Sequence, residues 1–247
     1  MRIAFLADIH ANLEALQACL ADVRARGVDR LVFLGDIVGY GADPVACIDI
    51  VGEACGNGAI AVKGNHDEAS VGPTRFRLNE TAEKAIRWTE AALGDAHKAF
   101  LINLPMMVGE EGRLYVHASA ARAESYPYVV GLDDAVESLQ ATKAHVTICG
   151  HVHAPALYNL AVTGKIMQHI PVTGAEIPLM SQRRWLAVMG AVGQPRDGNP
   201  AAAYGILDAD RNALTYVRVP YDVDAAQNKI RKAGLPDSLW KRLAQGR

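Results

Sequence analysis

MRIAFLADIH, residues 1–10, opens the chain as an apolar run that stops on Asp8 and His10. A short continuous apolar run of this kind reads as a strand buried on both faces. The same punctuation returns four times. LVFLGD (31–36) ends on Asp36, AIAVKGNHD (59–67) on Asn65, His66 and Asp67, RLYVH (113–117) on His117, and HVTICGHVH (145–153) on His151 and His153. Five of the eight histidines fall just past such a run, a habit that scattered core histidines would not share. The C-terminal ends of neighbouring parallel strands converge on one crevice, where open α/β sheets hold their ligands. Carboxylates and imidazoles far apart in sequence can therefore meet there, and a metal centre is the leading reading.

Working outward, residues 12–26 place Leu13, Leu16, Leu20 and Val23 on one helical face, with Asn12 as N-cap and Gly27 as terminator. Asp43-Pro44 starts a second helix with Val45, Ile48 and Val51 as its apolar stripe. Strand, helix, strand, helix, strand is the pattern of parallel strands with crossover helices. Between about residues 68 and 104 the alternation breaks, and Asn79 caps a helix carrying Ala82, Ile86, Thr89 and Leu93 on one face. A helical cap insertion beside the site is expected there. From His145 onward strands alternate with turns, with hairpins at Thr163-Gly164-Lys165 and at residues 208–212, so a second, mainly antiparallel sheet is expected. Residues 223–232 read as the closing helix.

With 25 basic and 27 acidic residues the formal charge is −2. That balance implies no general affinity for nucleic acid or an anionic membrane, so an anionic substrate must be attracted locally. No apolar run reaches the roughly 18 residues that span a bilayer. Asp8 and His10 interrupt the only early apolar stretch, leaving no secretory leader pattern, and a cytoplasmic protein is expected. The four cysteines form no C-x-x-C pair and read as small buried hydrophobes.

Taken in order, the motifs are D-x-H (Asp8, His10), G-D-x-x-G (Gly35, Asp36, Gly39), G-N-H-D (residues 64–67), a lone strand-end His117, and G-H-x-H (Gly150, His151, His153). This series resembles the calcineurin-like metallophosphoesterase superfamily from Met1 to at least His153. The segment GQPRDG (193–198) is similar to a stretch in bacterial members and extends the match toward residue 208. The resemblance implies an α/β fold, a four-layer αββα sandwich of two mixed β-sheets flanked by helices, formed by a single domain over residues 1–247. It also implies two divalent metal ions, one held by Asp8, His10 and His153, the other by Asn65, His117 and His151, with Asp36 bridging both.

Two divalent ions against two carboxylates leave local positive charge for a phosphate. Four imidazoles with carboxylates and no thiolate favour Mn, Fe, Zn or a similar ion over Ca or Mg. By the same resemblance His66 would give a proton or hydrogen bond to the reacting phosphoryl group, and Asp67 would orient its imidazole. The implied activity is hydrolysis of phosphoric esters by a hydroxide activated at the metal pair. The superfamily's Ser/Thr protein phosphatases carry arginines beside the bridging aspartate and before the G-N-H motif. Here those segments read GDIVGYG (35–41) and VKGNHD (62–67). A small phosphodiester, a nucleotide or a phosphomonoester is left as substrate, while protein partners stay open. A fold that kept its shape and lost turnover, serving as a binding scaffold, is the other reading. Among six arginines that could clamp a phosphate (Arg75, Arg77, Arg122, Arg183, Arg184 and Arg196), Arg196 has the best claim, because it lies in the Gly/Pro loop at 193–198.

Overall fold

A computed structural model describes all 247 residues. In chain order it contains β1 (Arg2–Leu6), α1 (Leu13–Ala25), β2 (Arg30–Phe33), α2 (Pro44–Gly56), β3 (Ile60–Ala61), α3 (Asn65–Ala69), α4 (Glu80–Ala92) and α5 (Asp95–Asn103). The second half continues with β4 (Met107–Glu110), β5 (Arg113–Val116), α6 (Leu132–Gln140), β6 (Val146–Cys149), β7 (Ala156–Ala161), β8 (Ile166–His169), β9 (Glu176–Pro178), β10 (Arg183–Val188), β11 (Ala202–Asp208), β12 (Ala213–Val219), α7 (Val223–Lys232) and α8 (Asp237–Leu243). The helix starts obey local chemistry. Asn12 Oδ1 accepts the Ala15 N–H at 3.1 Å and Asn79 Oδ1 that of Ala82 at 2.9 Å, each satisfying a donor the helix leaves free.

Two six-stranded sheets form, ordered β3-β2-β1-β11-β12-β9 and β4-β5-β6-β10-β7-β8. β1 and β2 run parallel (Ile3↔Arg30), as do β5 and β6 (Arg113↔Val146) and β6 and β10 (Val146↔Trp185). Strand alternation then builds the layers. Ile3, Phe5 and Ala7 join Tyr115, Ile148 and Ala187 in a core between the two sheets. Ala4 and Leu6 turn the other way, onto Leu16 and Cys19 of α1 and Ile48 and Val51 of α2. On the far side Val116, Cys149 and Leu186 bury against Ala135 and Leu139 of α6. The result is helix, sheet, sheet, helix, a two-sheet sandwich of mixed sheets. Replacing fully buried Phe5, 5.5 Å from the Tyr115 ring, with alanine would cost about 3–5 kcal/mol.

One expectation is corrected. The strands after His145 do not form a sheet of their own: β9, β11 and β12 complete the first sheet, while β6, β7, β8 and β10 complete the second. The physical reason is the unpaired edge of β1, which β11 closes in antiparallel register (Ile3↔Leu207) before the hairpin to β12. Nor does the chain close with α7. α8 follows and packs Leu239 and Leu243 with Ala226 and Ile230 of α7 and with Ala82 and Ala85 of α4. Between residues 68 and 104 lie α4 and α5; the stretch leading into α4 borders the candidate site, and α5 packs on α2 and α3. No helix is long and apolar enough to cross a membrane.

Candidate metal centre

All seven expected ligands gather where β1, β2, β3, β5 and β6 end. The strand ends are laced together by backbone bonds: Asp8 N–H donates to the Gly35 carbonyl at 3.1 Å, His10 N–H to Asp36 at 2.9 Å, Gly150 N–H to His117 at 2.8 Å and Gly193 N–H to Asp8 at 2.9 Å. Asp8, His10, Asp36, His151 and His153 all have φ between 49° and 68°. Left-handed backbone is costly for residues with a Cβ and gathers at functional sites when the surroundings enforce it. Here it turns each strand end sharply, so that side chains two apart, His10 with Asp8 and His153 with His151, point into one space. Gly64 makes a closer approach possible, since a Cβ there would collide with the backbone N and Oδ1 of Asp36.

The donor atoms fall into two groups sharing one carboxylate: Asp8, His10, Asp36 and His153, and Asp36, His117 and His151, each with its ligand atoms within 4.8 Å of one another. Asp36 Oδ2 is 3.6 Å from His10 Nε2 and 3.5 Å from His117 Nε2. His153 Nε2 is 3.4 Å from Asp8 Oδ1, and Asn65 Oδ1 is 3.1 Å from His117 Nε2. Asn65, expected as a further ligand, thus lies beside the second group.

The imidazoles are set for metal. Nδ1 of His10, His117 and His153 lies 3.1, 2.7 and 2.7 Å from the carbonyls of Val38, Leu34 and Gln194. An Nδ1–H donated to a carbonyl fixes the tautomer and leaves the Nε2 lone pair facing the site. Facing nitrogens then stand 3.1 Å apart in both groups, His10 Nε2 to His153 Nε2 and His117 Nε2 to His151 Nδ1. Two lone pairs so placed have nothing to share until a cation or a proton comes between them, so the residues present fit a pair of metal ions.

Without metal, protonation does part of that work. Burial lowers the His10 and His153 pKa well below the usual imidazole value and takes His151 to about 3. His117 goes the other way: burial opposes its charge, but Asp36 and Asp8 beside it raise it to about 9. Burial also pushes Asp36 up, yet the charge and hydrogen bond of His117, with the other imidazoles around it, outweigh burial and hold this carboxyl well below its usual range. Asp8, with burial uppermost and Asp36 adding repulsion, rises to about 7.

His66 sits apart from both donor groups, its ring 4.3 Å from that of Tyr40 and 4.9 Å from that of His10. Its Nδ1 is buried without a partner, and burial lowers its pKa. Asp67 does not orient it, contrary to the expectation. The Asp67 carboxylate accepts the N–H groups of Ile37 at 2.8 Å, Val38 at 3.2 Å and Gly64 at 2.9 Å. Successive helical residues point about 100° apart and do not face each other, so Asp67 pins the loop after β2 to the start of α3 instead. Arg196 sits at the site's edge, its guanidinium 5.7 Å over the Tyr40 ring and its backbone N–H donating to the His153 carbonyl at 3.1 Å.

The other candidate arginines scatter. Arg122 pairs with Glu137, Arg183 with Asn159, and Arg184 with the carbonyls of Leu139 and Thr142. Arg75 is exposed, and Arg77 borders a cavity of about 350 Å³ that opens onto Asn65, His66 and His151. The remaining histidines, His97, His145 and His169, bond to Asp49, the Met180 carbonyl and Asn159, away from the site. Sequence reasoning missed the aromatic wall of that cavity. Tyr128 stacks on His151 at 4.0 Å and 22°, and Tyr126 donates to Glu68 at 2.8 Å. A tyrosine pair in an irregular segment carries no periodic signal that would have found it.

The chain is similar to known proteins along nearly its whole length. Residues 1–212 match the model of the calcineurin-like phosphoesterase superfamily domain. An uncharacterised protein of Methanocaldococcus jannaschii is 34% identical over 250 residues, covering 99% of this chain and 98% of its own length. The crystal structure of a metallophosphoesterase from Sphaerobacter thermophilus superposes with TM-score 0.87 at 36% identity, covering 100% of this chain and 99% of that one. A hypothetical protein of Pyrococcus horikoshii shares the fold at TM-score 0.79 and 17% identity, covering 100% and 98%. The chain belongs to the calcineurin-like phosphoesterase superfamily.

Proposed function

We propose that this protein is a metal-dependent hydrolase of phosphoric esters acting on a small phosphodiester, a nucleotide or a phosphomonoester. The observation that carries the reading is Asp36, whose one carboxylate oxygen lies about equally far from an imidazole of each donor group. Bound divalent ions would supply a nucleophile from water near neutral pH and neutralise phosphoryl oxygens. Asp8, His10 and His153 would hold one, Asn65, His117 and His151 the other, and Asp36 both. Mn, Fe and Zn suit this set of imidazole and carboxylate donors.

The remaining residues position substrate. His66 is neutral at pH 7 through burial and brings an N–H to the phosphoryl group or the departing oxygen; phosphoryl charge nearby raises its basicity. The cavity beside it, lined by Tyr40, Phe76, Tyr126 and Tyr128, accepts the organic part of the ester. The absence of arginine from residues 35–41 and 62–67 argues for such a small substrate over a phosphoprotein.

The test is hydrolysis of p-nitrophenyl phosphate and bis(p-nitrophenyl) phosphate by protein loaded in turn with Mn, Fe, Zn and Mg, followed by monoesters, diesters, cyclic nucleotides and dinucleoside polyphosphates. Turnover abolished by chelation and restored by metal is expected. Persistent inactivity with every metal would mark the chain as a binding scaffold.

A further inference from the structure

Two arginines from distant parts of the chain meet on a single neutral atom. Arg196, in the loop after β10, donates from Nη2 at 2.7 Å and Nε at 3.2 Å to Oε1 of Gln194. Arg242, on the last turn of α8, donates to the same oxygen from Nη1 at 3.3 Å. Each guanidinium has five N–H donors, and these three bonds to one amide oxygen, with the Tyr40 hydroxyl beside Arg196, leave most of them unused. No carboxylate lies within ion-pair distance of either, whereas Arg218 and Arg211 find Asp197 and Glu176. Both are half-buried, so two like charges are held side by side with incomplete solvation. Burial and then the Arg196 charge lower the pKa of Arg242.

The pair is joined to the metal centre by the same glutamine. The Gln194 carbonyl takes the Nδ1–H of His153 at 2.7 Å while its side chain takes the arginines. Tyr40 is a shared wall, with its ring under Arg196 on one side and against His10 and His66 on the other. Paired guanidinium forks with unused donors match the geometry of phosphate oxygens.

We propose that Arg196 and Arg242 form a second anion subsite, which receives a phosphate of the substrate other than the one attacked, so that the preferred substrates are nucleotides or esters carrying two phosphates. This rests on the hydrolase reading above and narrows its substrate class. Gln194 fixes the distance between the subsite and His153, and α8 acts as a specificity element delivered from the end of the chain.

The test is calorimetric titration of Mn-loaded protein with AMP and with the α,β-methylene analogue of ADP, metal content being checked after each run. The diphosphate should bind at least tenfold more tightly than the monophosphate, on the order of one bidentate arginine contact. Arg242→Gln and Arg196→Gln should each bring that ratio close to one, and Arg242→Lys should keep part of it, with thermal melts confirming that the variants fold. Equal affinities in the unmodified protein would overturn the subsite, as would variants that lose both ligands by the same factor or keep the full ratio. The two proposals fail separately. A diphosphate preference in a protein that hydrolyses no ester would remove the hydrolase and leave the subsite, and ester hydrolysis without the preference would do the reverse.

Discussion

The two halves of the donor cluster share Asp36, and each ties a buried histidine by Nδ1 to a backbone carbonyl, but their other donors differ. Around Asp8, His10 and His153 the surroundings are closed: exposures are 0%, 1% and 2%, both histidines are tied by Nδ1 to backbone carbonyls, and Asp8 adds a second carboxylate to Asp36. Around Asn65, His117 and His151 the site opens. Asn65 and His151 form part of the lining of the cavity, the amide of Asn65 is neutral, and His151 turns Nδ1 inward while its Nε2 is buried without a partner. More negative charge and fixed imidazoles favour tight retention of a cation. A neutral amide and an untethered imidazole beside a cavity favour exchange and contact with substrate. On the proposed reading, the first half would hold its ion and the second would exchange it and meet the substrate.

The sharpest way to break this comparison is to remove what the halves share. Asp36→Ala should empty both positions and take ester hydrolysis below detection, measured by metal analysis beside a nitrophenyl ester assay; retention of one full equivalent would show that Asp36 serves one half only. Next in size is His66→Gln, expected to lower turnover about 10²- to 10⁴-fold with metal content near that of the unmodified protein, the range of a lost acid or donor. The deficit should be smaller for nitrophenyl esters than for alkyl esters, whose leaving groups need protonation. Metal loss in that variant would make His66 a structural support.

Asymmetry between the halves is tested by Asp8→Asn and His151→Asn. The first should release the tightly held ion, and the second should lower only the affinity of the exchangeable one, about 10- to 100-fold. Equal losses would erase the distinction.

A smaller effect comes from pH. His117 has a folded-state pKa near 9 against an ordinary 6.5, so its stabilising contribution is present below 6.5 and lost as pH rises through 9. Asp8 and Asp67, raised to about 7, change in the same sense, while the histidines lowered by burial oppose it by a smaller amount, their unfolded forms still losing protons just above 6.5. Chelated protein should therefore melt several degrees lower at pH 9 than at 6.5, roughly 2–3 kcal/mol for His117 alone. His117→Gln should reduce the slope, and so should bound metal, which takes the imidazole as a neutral ligand. An unchanged slope in the variant would assign it elsewhere. Smallest should be Tyr128→Ala, raising KM about 2- to 10-fold for esters with aromatic groups, a contact worth about 0.5–1.5 kcal/mol; a larger fall in kcat than in affinity would show that it positions His151.

Much of this was readable from residues alone. A ligand placed just past an apolar run carries its own address, because the end of a buried strand is where the backbone leaves the sheet. The sequence therefore determined that seven side chains with metal-ligand chemistry lie at neighbouring strand ends, and it gave away the helix starts at Asn12 and Asn79 and the hairpins at residues 163–165 and 208–212. It could not determine which sheet a strand joins: β11 and β9 enter the first sheet through partners up to about two hundred positions away, such as Ile3↔Leu207. Nor could it assign Asp67, whose neighbour in sequence is His66 but whose neighbours in space are three backbone N–H groups. α8 and Arg242 escaped for a related reason, since a seven-residue helix shows its apolar face only against the α7 and α4 surfaces that bury it. Local pattern reports what a residue does to its own backbone; which distant groups surround it is settled only when the sheets close and the layers pack.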